Sequence, residues 1–510
     1  MTSCGNPASE QDALMQRRTK FDKTRLCWKC REKVGNVVIR HAVYCRECFF
    51  PIITTKFKRA LEPFINPGNE TRRQGLKPAG NLCVAFSAGL GSTVLLDLIS
   101  RLYFSAETGG WTGRGGTDHP RNAPVWKKTT ICYVETSSAL PGTRDRTEDV
   151  RAVVAQYAGF ASFVPLRLED AFDDAWWGKV GGRPPPSHVS VDLADEELLL
   201  AQKLSASDTP VVALRAYLAA MPTQTAIPSA IQNLIRLLLL HTAWATESSH
   251  LLLGTSLTSL SVSLISSISQ GGGFVVREEA QEEWQPTVYS GSKRNVRVTR
   301  PMRDIGMKEC AIWAWWHKLT VVGKENYLGG KQGIGTLTKS FIVGLERDYP
   351  STVSTIVRTC AKLAPKNVAD GRCVLCGRPA QPDVQAWKAR ISIRAFDEQG
   401  DVPPHRTLAP DPAPDERTRE THEDAAMPPR VGLTPHLCYA CHTTLTSRSS
   451  RGSAAASTQV GATPLPVWVE SGLEMLDGGG SGQEKWNKRK MGESEMKEAI
   501  AEFLLPKEDA

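Results

Sequence analysis

The sequence predicts an α/β protein in which a doubly wound parallel sheet is flanked at each end by a four-cysteine module. Three observations carry that expectation. Residues 81–365 alternate short β-branched runs with helix-period segments, the pattern of strands joined by covering helices. Eight of the 13 cysteines fall in four CxxC pairs, two before this stretch and two after it. The unit from 82 to 103 passes from an apolar strand through a Ser/Gly-rich turn into a helix, which opens a backbone anion site at a sheet edge. At 510 residues the chain exceeds one compact domain. Its 41% hydrophobic and 23% charged residues exclude collagen-like, wholly disordered and disulfide-stapled classes.

In chain order, residues 1–16 are polar, lack the apolar core of a secretory signal, and are expected to be disordered. Residues 17–59 hold thirteen Lys/Arg against three acids, a net +10, so the remainder of a chain with total charge +8 sits at −2. A basic excess confined to one segment is the footprint of a phosphate-backbone binder. Within it, Cys27-Trp-Lys-Cys30 and Cys45-Arg-Glu-Cys48 are separated by fourteen residues, a hairpin's length, which sets two thiolate knuckles around one tetrahedral zinc. Four thiolates leave no open coordination position, so this zinc is expected to be structural. Val34 to Ile39, with Gly35-Asn36, supplies the apolar and turn residues of the ribbon. Lys56, Lys58 and Arg59 flank Phe57 and are placed to meet phosphate together. Residues 60–80 read as a linker.

The α/β domain, 81–365, opens with a strand at Leu82 to Phe86. The turn Ser87-Ala88-Gly89-Leu90-Gly91-Ser92 and a helix from Thr93 to Tyr103 follow. Further strands are expected at 129–134, 162–166, 250–254 and 295–299, and helices at 144–157, 229–246, 258–269, 308–319 and 336–349. The turn is neither a Walker A loop, since no Gly-Lys-Ser/Thr closes it, nor a GxGxxG dinucleotide fingerprint. Cys83 and Cys132 on strands, Cys310 and Cys360 on helices, Trp176-Trp177, and Trp313, Trp315 and Trp316 read as core residues.

Residues 366–445 form the second module. Cys373-Val-Leu-Cys376 and Cys438-Tyr-Ala-Cys441 are sixty-one residues apart, and the Asp/Pro-rich stretch 398–430 is expected to be a disordered insertion that loop closure tolerates. A second four-thiolate zinc site is expected, with His436 or His442 able to replace one thiolate. Residues 446–464 read as a Ser/Ala/Thr-rich linker and 465–510 as a tail whose terminal helix aligns Met496, Ile500, Phe503 and Leu504. No apolar run reaches the roughly 18 residues that span a bilayer, so the chain is expected in the cytosol or nucleus, without a membrane.

Taken together, the N-terminal ribbon, Phe86-Ser-Ala-Gly-Leu-Gly-Ser92 and the C-terminal cysteine pairs resemble the cytoplasmic tRNA 2-thiolation protein 2 family. The matching stretches include Val34-Gly-Asn-Val-Val-Ile-Arg40, Tyr44-Cys-Arg-Glu-Cys-Phe49, Lys56-Phe-Lys-Arg-Ala-Leu61 and Arg300-Pro-Met-Arg-Asp304 with Lys308-Glu309. The resemblance implies a PP-loop ATP-pyrophosphatase-like fold and a cytoplasmic tRNA-binding subunit. It implies a heterodimer with a catalytic PP-loop paralogue that thiolates the wobble uridine of lysine, glutamate and glutamine tRNAs to 5-methoxycarbonylmethyl-2-thiouridine. The complex uses ATP and takes sulfur from a thiocarboxylated ubiquitin-related modifier. On this reading tRNA contacts fall on Arg40, Lys56, Lys58 and Arg59, and any phosphate contact on Ser87, Ala88, Gly89, Gly91 and Ser92.

Two departures argue against chemistry in this chain. Against the superfamily's Ser-Gly-Gly-x-Asp-Ser, Ala88 stands at the first glycine and Gly91 at the aspartate, which removes the charge that organises magnesium and pyrophosphate. No cysteine occurs from Tyr133 through Glu309, so the thiols that would carry persulfide or a cluster in the paralogue are absent. A non-catalytic or semi-catalytic subunit is therefore expected. The alternatives are an independently active PP-loop adenylating enzyme and a zinc-ribbon nucleic-acid adaptor.

Overall fold

The computed structural model describes residues 25–40, 42–65, 79–104, 125–140, 142–182, 188–193, 197–203, 209–279, 282–286, 294–323, 333–363, 371–381, 383–391, 432–447 and 462–478. The insertion 398–430, the glycine-rich stretch 109–122, the basic residues 17–24 and the terminal helix expected around Met496 lie outside them.

In chain order the first hairpin is β1 (Val37–Ile39) and β2 (Ala42–Tyr44), followed by α1 (Arg46–Ile65). The sheet unit then runs β3 (Asn81–Ala85), α2 (Leu90–Ile99), β4 (Thr129–Glu135), α3 (Thr147–Val154), β5 (Ala161–Arg167) and α4 (Asp174–Lys179). An excursion follows: β6 (His188–Val191), β7 (Leu200–Lys203) and α5 (Pro210–Ala219). The chain returns through α6 (Ala226–Ala245), β8 (Ser248–Leu253), α7 (Leu257–Ser269), β9 (Glu282–Trp284), β10 (Val296–Thr299), α8 (Met307–Trp316), α9 (Ile334–Asp348) and α10 (Pro350–Cys360). The C-terminal part holds β11 (Gly371–Arg372), β12 (Pro379–Ala380), α11 (Val384–Ile391), α12 (Tyr439–Thr446), β13 (Thr463–Pro464) and α13 (Trp468–Gly478).

The six-stranded sheet has the order β5-β4-β3-β8-β10-β9 and is parallel except for the antiparallel edge strand β9. From β3 the chain steps outward one way through β4 and β5, then returns to the other side of β3 as β8. The reversal places the Ser87 turn at the topological switch point, where open α/β sheets form their crevice. Alternate strand residues serve opposite faces. Leu82, Val84, Ile131, Tyr133 and Leu252 pack beneath α1, α2, α3 and α8, while Cys83, Cys132 and Leu251 pack toward α4, α5 and α6.

Two parts of this architecture differ from the sequence expectation. Residues 46–65 form one helix across the expected ribbon-to-linker boundary, and Phe49, Ile53, Phe57, Leu61 and Ile65 line its buried side. Phe57 is wholly buried and is therefore unable to stack on a ligand. Beyond the main sheet, β13-β6-β7 form a small antiparallel sheet, so Thr463 and Pro464 belong to a strand and not to a linker.

Where α6 crosses the second face, His241 is caged by Trp177, Trp284 and Trp468, with ring centroids 4.8, 5.0 and 6.0 Å away. Its Nδ1 is buried without a hydrogen-bond partner. Burial, with a smaller push from the Arg236 charge, takes its pKa from 6.5 down to about 3. The unfolded chain thus binds a proton that the native state refuses. Stability from this residue is intact above pH 6.5 and drains as pH falls toward 3. His241→Leu is expected to shrink the drop in Tm between about pH 7.5 and 5 relative to wild type; an equal drop in both proteins rules this cage out as a source of acid sensitivity.

Candidate functional site

The first cysteine cluster lies at the mouth of α1. Cys27 to Cys30 form a tight knuckle in which Cys27 N–H donates to Lys33 O and Arg31 N–H to Cys27 O, each at 2.8 Å. Cys45 and Cys48 straddle the start of α1. The chain reverses between Ile39 and Ala42, where Arg40 takes φ 54°, and not at Gly35-Asn36. Gly35 instead provides clearance. A Cβ there would lie 2.2 Å from Val43 Cγ1, so only glycine lets the knuckle pack on β2.

All four sulfurs of Cys27, Cys30, Cys45 and Cys48 lie within 4.8 Å of one another, as do those of Cys373, Cys376, Cys438 and Cys441. A tetrahedral ion held at about 2.3 Å by four thiolates separates neighbouring sulfurs by about 3.8 Å. Cys30 and Cys45 are 3.9 Å apart, and Cys376 and Cys438 are 3.7 Å apart. Both donor sets therefore fit a four-coordinate thiophilic metal. Neither His436 nor His442 belongs to either group. Crowding sets the protonation states. Burial opposes ionisation of Cys27, but the N–H groups of Cys30, Cys45 and Lys29 bring its pKa down to about 6. Desolvation and the neighbouring thiols push Cys48 up to about 12. A divalent cation removes that conflict by taking all four as thiolates.

The second cluster is embedded in the largest apolar core, with every cysteine at most 3% exposed. Buried arginines surround it. Arg236 donates to the Cys376 carbonyl and pairs with Glu282, while Arg378 pairs with Glu279 at 2.5 Å. Glu279 is also 3.6 Å from Arg300. Burial, then the Arg378 charge, lowers Arg236 to about 9. Arg378 moves the other way: burial opposes its charge, and Glu279 with the Cys376 and Cys438 thiolates overcomes that.

The turn at the switch point, where the sequence led us to expect phosphate contact, is closed on itself. Ala88 holds φ 54°, a conformation costing an L-residue about 1 kcal/mol that glycine avoids. Gly89 is the N-cap of α2 without any side-chain cap. Ser92 Oγ donates to Gly89 O at 3.0 Å and lies 3.3 Å from Ser87 Oγ, so both hydroxyls are turned toward the loop itself. Gly91 is locked against the loop after β8. A Cβ on Gly91 would lie 2.1 Å from Gly254 O, and one on Gly254 would lie 2.5 Å from Ser92 N and Cα.

The expected cationic residues separate. Lys58 and Arg59 are exposed, and Arg40 is half-buried in its turn. Lys56 instead forms a 2.6 Å ion pair with Glu309, whose other carboxylate oxygen accepts from Gly306 N–H at 2.7 Å to cap α8. Lys56 is thereby a structural bridge, which corrects its placement on a phosphate-binding surface. Sequence reasoning passed over Trp28: it lies between two ligand cysteines, yet is 70% exposed beside exposed Arg25 and Lys29.

Against known proteins, the family model for cytoplasmic tRNA 2-thiolation protein 2 matches residues 333–443. Curated relatives carrying that name match over most of the chain. The protein from Danio rerio is 27% identical over 368 residues, 66% of this chain and 67% of the relative. The protein from Homo sapiens is 26% identical over 449 residues, 80% and 82% of the two chains. The chain is thus similar, over most of its length, to cytoplasmic tRNA 2-thiolation protein 2. Among solved structures it is similar to a U34-tRNA thiolase from Methanococcus maripaludis with its [4Fe-4S] cluster, at TM-score 0.42 and 15% identity, covering 69% of this chain and 92% of that one.

Two of the stretches that carried the resemblance meet in space as the Lys56–Glu309 pair. A third, starting at Arg300, is anchored by Arg300 on Glu279 and by wholly buried Met302. Because the second cysteine cluster lies in the core and the first lies at its edge, the two are expected to fail differently. Cys373→Ser should lose one metal equivalent by elemental analysis and collapse the cooperative thermal transition. Cys27→Ser should lose one equivalent and leave a cooperative transition at lower Tm. Full metal content in either variant contradicts the ligand assignment.

Proposed function

We propose that this chain is a cytoplasmic tRNA 2-thiolation subunit that holds tRNA and a catalytic PP-loop paralogue without activating ATP itself. The Gly91–Gly254 contact carries this reading. In the PP-loop signature an aspartate occupies the position of Gly91, and here a Cβ alone already meets Gly254 O at 2.1 Å. The acid is not merely missing; a neighbouring loop fills the space it would need. Without that carboxylate, the loop has no anionic group to organise magnesium around a leaving pyrophosphate.

The thiols point the same way. Cys83 and Cys132 are 3.5 Å apart but entirely within the sheet, and burial pushes Cys310 well above its ordinary range. A protonated, inaccessible thiol neither attacks nor carries sulfur. Zinc is the metal proposed for both clusters, where it would serve as a closed structural cross-link, held by Cys27, Cys30, Cys45 and Cys48 and by Cys373, Cys376, Cys438 and Cys441. Exposed Lys58, Arg59, Arg25 and Lys29 supply sequence-independent attraction for an RNA backbone. The proposed substrates are the lysine, glutamate and glutamine tRNAs with a wobble uridine. ATP and the sulfur of a thiocarboxylated ubiquitin-related modifier are used by the paralogue.

Restoring the signature tests the loop. Gly91→Asp is expected to lower Tm and to produce no ATP–pyrophosphate exchange; exchange by the variant or by wild type alone overturns the non-catalytic reading. Reconstitution tests the assembly. With ATP and a sulfur donor, 2-thiolation should appear only when this chain and the catalytic paralogue are mixed, and activity from this chain alone defeats the proposal.

A further inference from the structure

Where α8 ends, beside the start of α1, a surface pocket of about 640 Å³ is lined by Arg46, Ala314, Trp315, Trp316, Lys318 and Leu319. Its composition is unusual for this protein. Trp313, on the same helix, is 2% exposed, whereas Trp315 is 74% exposed. Trp316 lies 6.0 Å from Trp315 at a 31° tilt and is fixed from behind by Phe49 and Phe50, edge-on at 5.2 and 5.6 Å. The Arg46 guanidinium is held 5.7 Å from the Trp316 ring centre and 5.7 Å from Phe50. Among the described residues, no carboxylate lines the pocket. Neither Arg46 nor Lys318 is paired with one among the described residues.

The helix end adds a second observation. Leu319 N–H donates to Ala314 O at 2.9 Å and Lys318 N–H to Trp315 O at 3.2 Å, the bond pair of a Schellman motif. The residue that must be left-handed there is normally glycine, and here it is Lys318 at φ 52°. A cation is kept at the pocket's rim in a backbone conformation that disfavours it.

We propose that this pocket binds an unpaired RNA nucleotide, its base stacked on Trp315 and its flanking phosphates met by Arg46 and Lys318. An exposed indole beside a fixed second one offers a face that every base accepts, and two cations unpaired among the described residues match a polyanion. Duplex RNA, whose bases are already stacked, has no such ligand to offer. The proposal rests on the tRNA-binding reading above and assigns part of that contact to a face outside the PP-loop.

The test uses the full chain with three probes: a short single-stranded RNA, a blunt RNA duplex of equal length, and tRNA. Wild type should prefer the single strand to the duplex. Trp315→Ala should weaken single-strand and tRNA binding about tenfold, within the range for loss of one base–aromatic stack, and leave Tm unchanged because the ring packs on little. Trp315→Phe should retain most of the affinity. Arg46→Gln should flatten the log–log salt dependence by about 0.7, the value for one phosphate on a single strand. Lys318→Gly separates folding from binding: glycine suits φ 52°, so Tm should hold or rise while affinity falls. Wild-type tRNA affinity retained in Trp315→Ala overturns the pocket and leaves the tRNA reading standing. No tRNA binding by wild type overturns both. Loss of the catalytic paralogue with RNA affinity intact in Trp315→Ala makes the pocket a protein interface and rejects the proposal.

Discussion

Four thiolates around one divalent ion leave two negative charges, and in the C-terminal cluster those charges would lie inside the largest apolar core. Nothing in a protein interior tolerates such a group without compensation. Arg378 and Arg236 stand next to the cluster, but each is buried and needs its own counter-ion, which Glu279 and Glu282 supply. Glu279 comes from the segment after α7, Glu282 from β9, Arg236 from α6, and Arg300 from the end of β10. The network therefore ties residues 371–381 to four segments around the main sheet. Removing Glu279, Glu282 or Arg236 leaves an unpaired buried charge, the costly case for ion pairs.

The phosphate-loop turn shows the opposite relation between sequence and shape. Its backbone requires a left-handed residue at position 88, where Ala88 bears the strain that glycine would avoid. Its hydroxyls are turned inward. The loop after β8 occupies the space above Gly91, and Gly254 reciprocates by requiring the absence of a side chain against Ser92. Two glycines in mutual contact form a constraint in which neither position can regain a functional group without displacing the other loop. A subunit built this way keeps the fold's switch-point crevice as packing.

The sheet and its covering helices were legible in the sequence because each has a period long enough to stand above noise: strands at 82–86 and 129–134, helices at 229–246 and 258–269 all recur within a few residues of their expected bounds. Cysteine spacing was equally readable, since CxxC fixes the local knuckle before any tertiary contact is known. Other features were hidden for physical reasons. Pro51 and Pro63 interrupt the hydrogen-bond ladder of α1 and disguise a helix that tertiary burial of five apolar side chains sustains. Strands β6, β7 and β13 span four, four and two residues and exist only because they pair with one another. The Lys56–Glu309 bridge joins residues 253 apart, and no local pattern distinguishes a cation that is already paired from one that is free.

The same ligand chemistry consequently serves two different ends. In the N-terminal cluster the knuckle is held at the surface, its Trp28 turned outward, and α1 carries the adjoining Arg46 to the rim of the Trp315 pocket. In the C-terminal cluster the knuckles face inward and their neighbours are buried ions. A metal at the first site would order a short basic segment that has too little core of its own. A metal at the second would close the core of the main domain across a sixty-one-residue interval between its cysteine pairs. Presentation and closure place opposite demands on the residues between the cysteines, and the pairs reflect this: Trp-Lys and Arg-Glu in the first, Val-Leu and Tyr-Ala in the second. Polar or exposed residues between ligands mark a knuckle that faces solvent, and apolar ones mark a knuckle that faces protein.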